Sequence, residues 1–219
     1  RQRQMCIRDR LFVNQGFKDH RVFCNYGIIL KNLGKLKDAE LYTRKAISLK
    51  PDYVIAHSNL GGILSDLGKL KDAELYTRKA IKLKPDHAEA HYNLGVILKD
   101  LGKLEEAEFS YRKAIELKPD YAEAYSNLGI LLKDLGKLKE AEIITRKAIE
   151  LKPDFAEAYS NLGTICNDLG KFDEAINNYS KAINLKPDFT VALMNRWQLL
   201  FDNGDFKTAL RDADSCNTK

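Results

Sequence analysis

Residues Ala88–Tyr121 read AEAHYNLGVILKDLGKLEEAEFSYRKAIELKPDY, and the chain restates this passage with a period of 34 residues. Its most constant string, Lys-Ala-Ile-x-Leu-Lys-Pro-Asp, stands at Lys45–Asp52, Lys79–Asp86, Lys113–Asp120, Lys147–Asp154 and Lys181–Asp188. Inside the passage, Ala90, Leu94, Ile97, Leu98 and Leu101 recur at three- and four-residue intervals, which predicts one amphipathic helix. Gly102 interrupts it. Leu104, Ala107, Tyr111, Ala114, Ile115 and Leu117 then predict a second helix, which Pro119 closes because proline cannot continue it. A fixed period of this length signals a solenoid, in which each unit buries its apolar face only against its neighbours. The expected fold is all-α, a stack of antiparallel helix pairs.

With Ala88 as position 1, the units run 20–53, 54–87, 88–121, 122–155 and 156–189, with an atypical sixth at 190–219 that stops short. Residues 11–19 align with the tail of a preceding unit, and 1–10 match no repeat position. That first stretch holds four arginines against one aspartate, so it is expected to be non-native or disordered. It also supplies much of the formal net charge of +5; unit 122–155 is neutral. A charge-balanced surface argues against nucleic acid as a partner.

Position 15 is Gly34, Gly68, Gly102, Gly136, Gly170 and Gly204, as a left-handed cap after the first helix requires. Asp86/Glu89, Asp120/Glu123 and Asp154/Glu157 have capping-box spacing and predict carboxylate caps for the first helices. Gly95, Ala107 and Ala114 suit close helix approach. Cys6, Cys24, Cys166 and Cys216 show neither a metal motif nor a disulfide framework, as expected of thiols in a reducing cytoplasm. No apolar run approaches a membrane span, so no membrane association is expected.

These residues resemble the tetratricopeptide repeat family, whose marks are Leu at position 7, Gly at 8, Ala at 20 and 27 and Pro at 32. Tyr125 and Tyr159 fall at its aromatic position 4. The resemblance implies a right-handed superhelical solenoid and a role in binding proteins or peptides. Two departures stand out. Position 24, aromatic in the family, is Thr43, Thr77 and Thr145 here, and position 8 becomes Trp197 in the last unit. The RNA-reading pentatricopeptide pattern fits less well.

Position 6 is Asn25, Asn59, Asn93, Asn127, Asn161 and Asn195. An asparagine amide both donates and accepts, so a row of them matches the peptide groups of an extended chain whatever its side chains. Such a ladder, lining the concave face, resembles that of the O-GlcNAc transferase arrays. The alternative is that these amides bridge neighbouring first helices. Beside them, Lys99, Asp100, Lys133 and Asp134 form a mixed-charge secondary groove. The terminal-carboxylate clamp of some family members needs basic residues where Glu89, Tyr92 and Asn93 stand, so that mode is not expected.

His57 and His91 sit at the packing position 4 with no ligand set beside them, and neither a phosphate loop nor a nucleophile motif occurs. No catalytic residue, metal or cofactor is therefore expected. Met194, Trp197 and Phe201 make an apolar stripe on the sixth first helix, an expected docking face for a C-terminal helix or domain within the same chain. Two functions stay open: a cytoplasmic scaffold binding an extended peptide or partner segment, and the substrate-targeting arm of a larger enzyme such as a glycosyltransferase. Assembly through the array ends is a third.

Overall fold

A computed structural model describes residues 19–210 of the 219-residue chain. The expectations for 1–10, for 11–18, for Cys6 and Cys216 and for the end of the sixth unit lie outside the described residues. Those residues form helices α1 (His20–Asn32), α2 (Leu36–Leu49), α3 (Val54–Asp66), α4 (Leu70–Leu83), α5 (Ala88–Asp100) and α6 (Leu104–Leu117). There follow α7 (Ala122–Asp134), α8 (Leu138–Leu151), α9 (Ala156–Asp168), α10 (Phe172–Leu185) and α11 (Thr190–Asp202). No strand occurs among the described residues. The fold is an all-α solenoid of helix pairs. Contacts divide it into two units, α1–α6 and α7–α11.

The pairs are α1/α2, α3/α4, α5/α6, α7/α8 and α9/α10, with α11 opening a sixth. Within a unit, each second helix packs on the first helix of the next pair, and successive first helices also touch. The pattern of small residues explains the closeness. Ala39, Ala46, Ala73, Ala80, Ala107, Ala114, Ala141, Ala148, Ala175 and Ala182 are all fully buried on the inner side of the second helices. Leucines and isoleucines of the first helices, such as Leu60, Ile63, Leu64, Leu94, Ile97 and Leu98, fill the space between pairs.

Both recurrent glycines behave as their positions demand, for different reasons. Gly34, Gly68, Gly102, Gly136, Gly170 and Gly204 have φ between 72° and 81° with nothing within 4 Å of an added Cβ. There the chain needs the left-handed conformation and not the space. Lys35 N–H bonds the carbonyl of Leu30 and Gly34 N–H that of Lys31, each at 2.9 Å, which is the paired bonding of a Schellman cap. At position 8 the space is what matters. A Cβ on Gly95 would lie 2.7 Å from the Tyr111 ring and one on Gly163 2.6 Å from that of Tyr179; on Gly27, Gly61 and Gly129 it would collide with the hydroxyls of Thr43, Thr77 and Thr145.

The capping-box expectation fails. α5, α7 and α9 start after His87, Tyr121 and Phe155, and none of these starts carries a side-chain cap bond. Asp86, Asp120 and Asp154 stand one residue too early, in the turn after proline, out of reach of the first free N–H groups. Two of the three glutamates serve instead as ion-pair partners: Glu123 meets Lys152 at 3.1 Å and Glu157 meets Lys186 at 3.3 Å, tying α7 and α9 to the Lys-Pro-Asp corner that ends the same repeat. A carboxylate cap does occur at α1, where Asp19 accepts from Arg21 N–H at 2.8 Å.

Candidate functional site

The first helices carry position 6 on the side where successive pairs meet. Asn59 Nδ2 donates to Cys24 Sγ at 3.2 Å, Asn93 to Ser58 Oγ at 3.4 Å and Asn161 to Ser126 Oγ at 2.9 Å. Asn195 Nδ2 donates to Thr164 Oγ1 at 3.5 Å. Each bond runs back to the previous first helix, so bridging between neighbours is a real role of these amides. All four are half-buried, as is Asn127, and Asn25 is exposed. An Asn NH2 group that spends one hydrogen on a neighbour keeps another, and its carbonyl can accept two. The bridge thus orients the amide without exhausting it.

Two turns further along the same helices lie positions 12 and 13. Lys31 meets Asp66 of the next pair at 3.2 Å, and Lys133 meets its own neighbour Asp134 at 3.1 Å. Lys99 is half-buried and Asp100 exposed. Charge of both signs therefore flanks the asparagine row.

His57 and His91 are buried, and their Nε2 atoms lie 2.7 and 2.9 Å from the carbonyls of Pro51 and Pro85. A carbonyl only accepts, so Nε2 carries the proton and each ring pins the proline corner before its own helix. Burial pushes the His57 pKa below its ordinary value. The thiols of Cys24 and Cys166 are free and buried, and burial pushes Cys166 up to about 11. Cys166 with Glu142 and Glu174 is a group of three donors within 4.8 Å of one another. Its carboxylates already hold cations: Glu142 bonds Arg146 at 2.9 Å and Lys171 at 2.7 Å, and Arg146 also grips Glu174.

That cluster is one rung of a lattice that reading the chain helix by helix does not reveal. Arg44, Arg78 and Arg146 pair with Glu40, Glu74 and Glu142 one turn earlier. The same glutamates receive Lys69, Lys103 and Lys171 from the start of the next second helix at 2.7, 2.8 and 2.7 Å. The lysine bonds, foremost, hold all three carboxyls below the usual range. The only advance signal is that Glu at position 21 and Lys at position 16 recur together in the neighbouring units.

On α11, Met194 is 58% and Phe201 47% exposed, while Trp197 is half-buried and stacks on Phe201 at 5.6 Å. The Phe206 ring meets Phe201 edge-on at 5.1 Å, so three aromatics form one patch. No described helix is long and apolar enough to cross a membrane.

Comparison with known proteins matches this architecture. Tetratricopeptide repeat descriptions match residues 88–121 and 156–189, 110–143 and 20–53, and a further TPR repeat description matches 63–102. No curated protein sequence matches the chain. Among solved structures, YrrB, a TPR protein with an unusual peptide-binding site, is similar at TM-score 0.61 and 24% identity, over 85% of this chain and 96% of that one. Pseudomonas aeruginosa pilF superposes at TM-score 0.78 and 20% identity, over 88% of each chain. The Cut9–Hcn1 APC/C hetero-tetramer gives TM-score 0.89 and 16% identity, over 98% of this chain and 43% of that one. Repeats of this kind are generally non-catalytic scaffolds for protein–protein interaction. With the period, the paired helices and the family descriptions in agreement over most of its length, the chain belongs to the tetratricopeptide repeat family.

Proposed function

We propose that the protein is an interaction scaffold that holds an extended peptide or partner segment along the wall of first helices, with Asn25, Asn59, Asn93, Asn127, Asn161 and Asn195 reading the peptide backbone. The observation that supports this reading is the bridging of Asn59, Asn93, Asn161 and Asn195 to the previous first helix, which orients each amide before a ligand arrives. A pre-oriented donor–acceptor loses less conformational freedom on binding than a free side chain does. Lys99, Asp100, Lys133 and Asp134 add charge selection at the edge of the same wall. A cytoplasmic site of action fits the free thiols Cys24 and Cys166.

Titration of the protein and of Asn93→Ala/Asn161→Ala with an unstructured peptide library, followed by fluorescence anisotropy, tests the reading. Two lost backbone contacts predict a fall in affinity of roughly tenfold or more, at about 1 kcal/mol each. Unchanged binding with helicity intact would sink it.

A second reading rests on a separate observation, the exposed Met194 and Phe201 beside Trp197. An apolar patch of this kind marks an interface. We infer that it receives a further helix or domain of the same chain; a catalytic domain docked there would make the array the substrate-targeting arm of a larger enzyme. Quenching of Trp197 by acrylamide, compared with and without natural downstream sequence, decides it: unchanged quenching excludes docking there.

A further inference from the structure

We propose that an outer slot between α4 and α6 is a receptor for a tyrosine side chain presented by a partner polypeptide. The slot is separate from the asparagine wall, and its fate does not depend on that reading. It has a volume of about 530 Å³, within the range of small-ligand sites. Ile81, Leu94 and Leu98 supply its apolar surface, with His91, Ser110 and Arg78 around them.

The molecule itself shows what such a slot takes. One repeat earlier, 34 residues back along the chain, the corresponding residues are Ile47, Leu60, Leu64, His57, Tyr76 and Arg44. There the slot is filled from within. Tyr76 packs on the cluster of Leu60 and Leu64 beside Ile47, and its ring stacks on His57 with centroids 5.9 Å apart. Its hydroxyl accepts from Arg44 Nη1 at 2.7 Å, and the guanidinium lies 5.1 Å from the ring centroid. Around the slot the apolar surface, the histidine and the arginine are all kept, but Ser110 of the third repeat replaces the tyrosine. The cavity is the imprint of a phenol that the sequence does not supply.

Two features keep it open. Ser110 Oγ turns back to the Glu106 carbonyl at 2.9 Å, so its side chain does not fill the space. The repeat's own ring, Tyr111, is 1% exposed on the inner side against Gly95 and is committed there. Arg78 is held at the rim by Glu74 at 2.9 Å and by Glu106 at 2.6 Å, much as Glu40 holds Arg44. Phe109, 71% exposed at the edge, extends the apolar surface toward an incoming chain. An arginine donor where the earlier repeat places a phenol hydroxyl selects tyrosine over phenylalanine.

The probe pair is p-cresol and toluene, the side-chain analogues, titrated into the methyl-labelled whole protein by NMR. The expected result is saturable shifts at Leu94 and Leu98 methyls, with p-cresol bound roughly tenfold more tightly than toluene, the worth of one hydrogen bond to a charged donor. Ser110→Tyr should abolish both titrations, because it restores the internal filling of the second repeat. Arg78→Leu should leave toluene binding in place and remove the cresol advantage, a readout that survives if Ser110→Tyr fails to fold. Absence of shifts at the solubility limit, or shifts that persist in folded Ser110→Tyr, would overturn the receptor. Equal affinity for the two probes would overturn its choice of tyrosine. Nuclear Overhauser contacts from one of the chain's own aromatic rings into Leu94 in the free protein would show an internal occupant and overturn the partner.

Discussion

The second and third repeats differ by one residue in where they place a ring, and the difference changes what each leaves to its surroundings. The second carries Tyr76-Thr77 and the third Ser110-Tyr111 at the same two helix positions. Adjacent helix residues point about 100° apart, so the same bulk is delivered to different faces of the second helix. In the third repeat the ring goes inward, where Tyr111 lies against Gly95. In the second it goes outward to His57 and Arg44, and the inner place under Gly61 is taken by Thr77, whose hydroxyl is buried without a hydrogen-bond partner. One arrangement closes the outer slot and leaves an unsatisfied polar atom inside. The other packs the inside fully and opens the slot. Thr43 and Thr145, also buried and also without hydroxyl partners, repeat the inner half of the second repeat's arrangement beneath Gly27 and Gly129.

The strongest way to break the comparison is to remove the inner ring. Tyr111→Ala should cost about 3–5 kcal/mol, the range for deleting a buried aromatic, whereas Tyr76→Ala should cost visibly less because that ring is half-buried. Equilibrium denaturation of both variants measures this; equal losses would mean that the side on which the ring sits is immaterial.

A smaller effect separates the two kinds of inner contact. Gly61→Ala should cost about 1–3 kcal/mol through its collision with the Thr77 hydroxyl. Adding Thr77→Ala should recover most of that loss, since the nearest remaining obstacles are the Ala73 carbonyl and the residue-77 Cβ, each at 3.3 Å. A double-mutant cycle with no coupling would show that the threonine is not what demands glycine.

The smallest change should be favourable. Thr77→Val keeps the shape and removes the unpaired hydroxyl, so it should stabilise by about 0.5–1 kcal/mol, seen as a modest rise in Tm. A clear loss would mean that the hydroxyl has a partner after all.

Much of this was legible in the chain. The glycines of position 15 announced their backbone conformation because only glycine adopts positive φ without strain, and the buried alanines of the second helices announced close approach because they leave no bulk. Position 24 was misleading when read alone. Thr77 looked like a lost aromatic, yet Tyr76 beside it carries the same bulk to a different face. Asp86, Asp120 and Asp154 misled for a related reason: the spacing suits a cap, but capping depends on the dihedral angles of the proline turn, which place the aspartates one residue outside the helix. The asparagines recur once per repeat in the sequence, and the bonds that Asn59, Asn93, Asn161 and Asn195 make to the previous first helix could only be weighed there as an alternative.

The 34-residue period by itself determined the helices, their pairing and the stacking, because a unit so small can bury its apolar face only against copies of itself. Which side of a helix each ring occupies, which carboxylate meets which lysine across neighbouring pairs, and where a slot stays open were decided by the tertiary structure alone. Those outcomes depend on side chains from separate repeats competing for the same volume, and no single repeat contains that information.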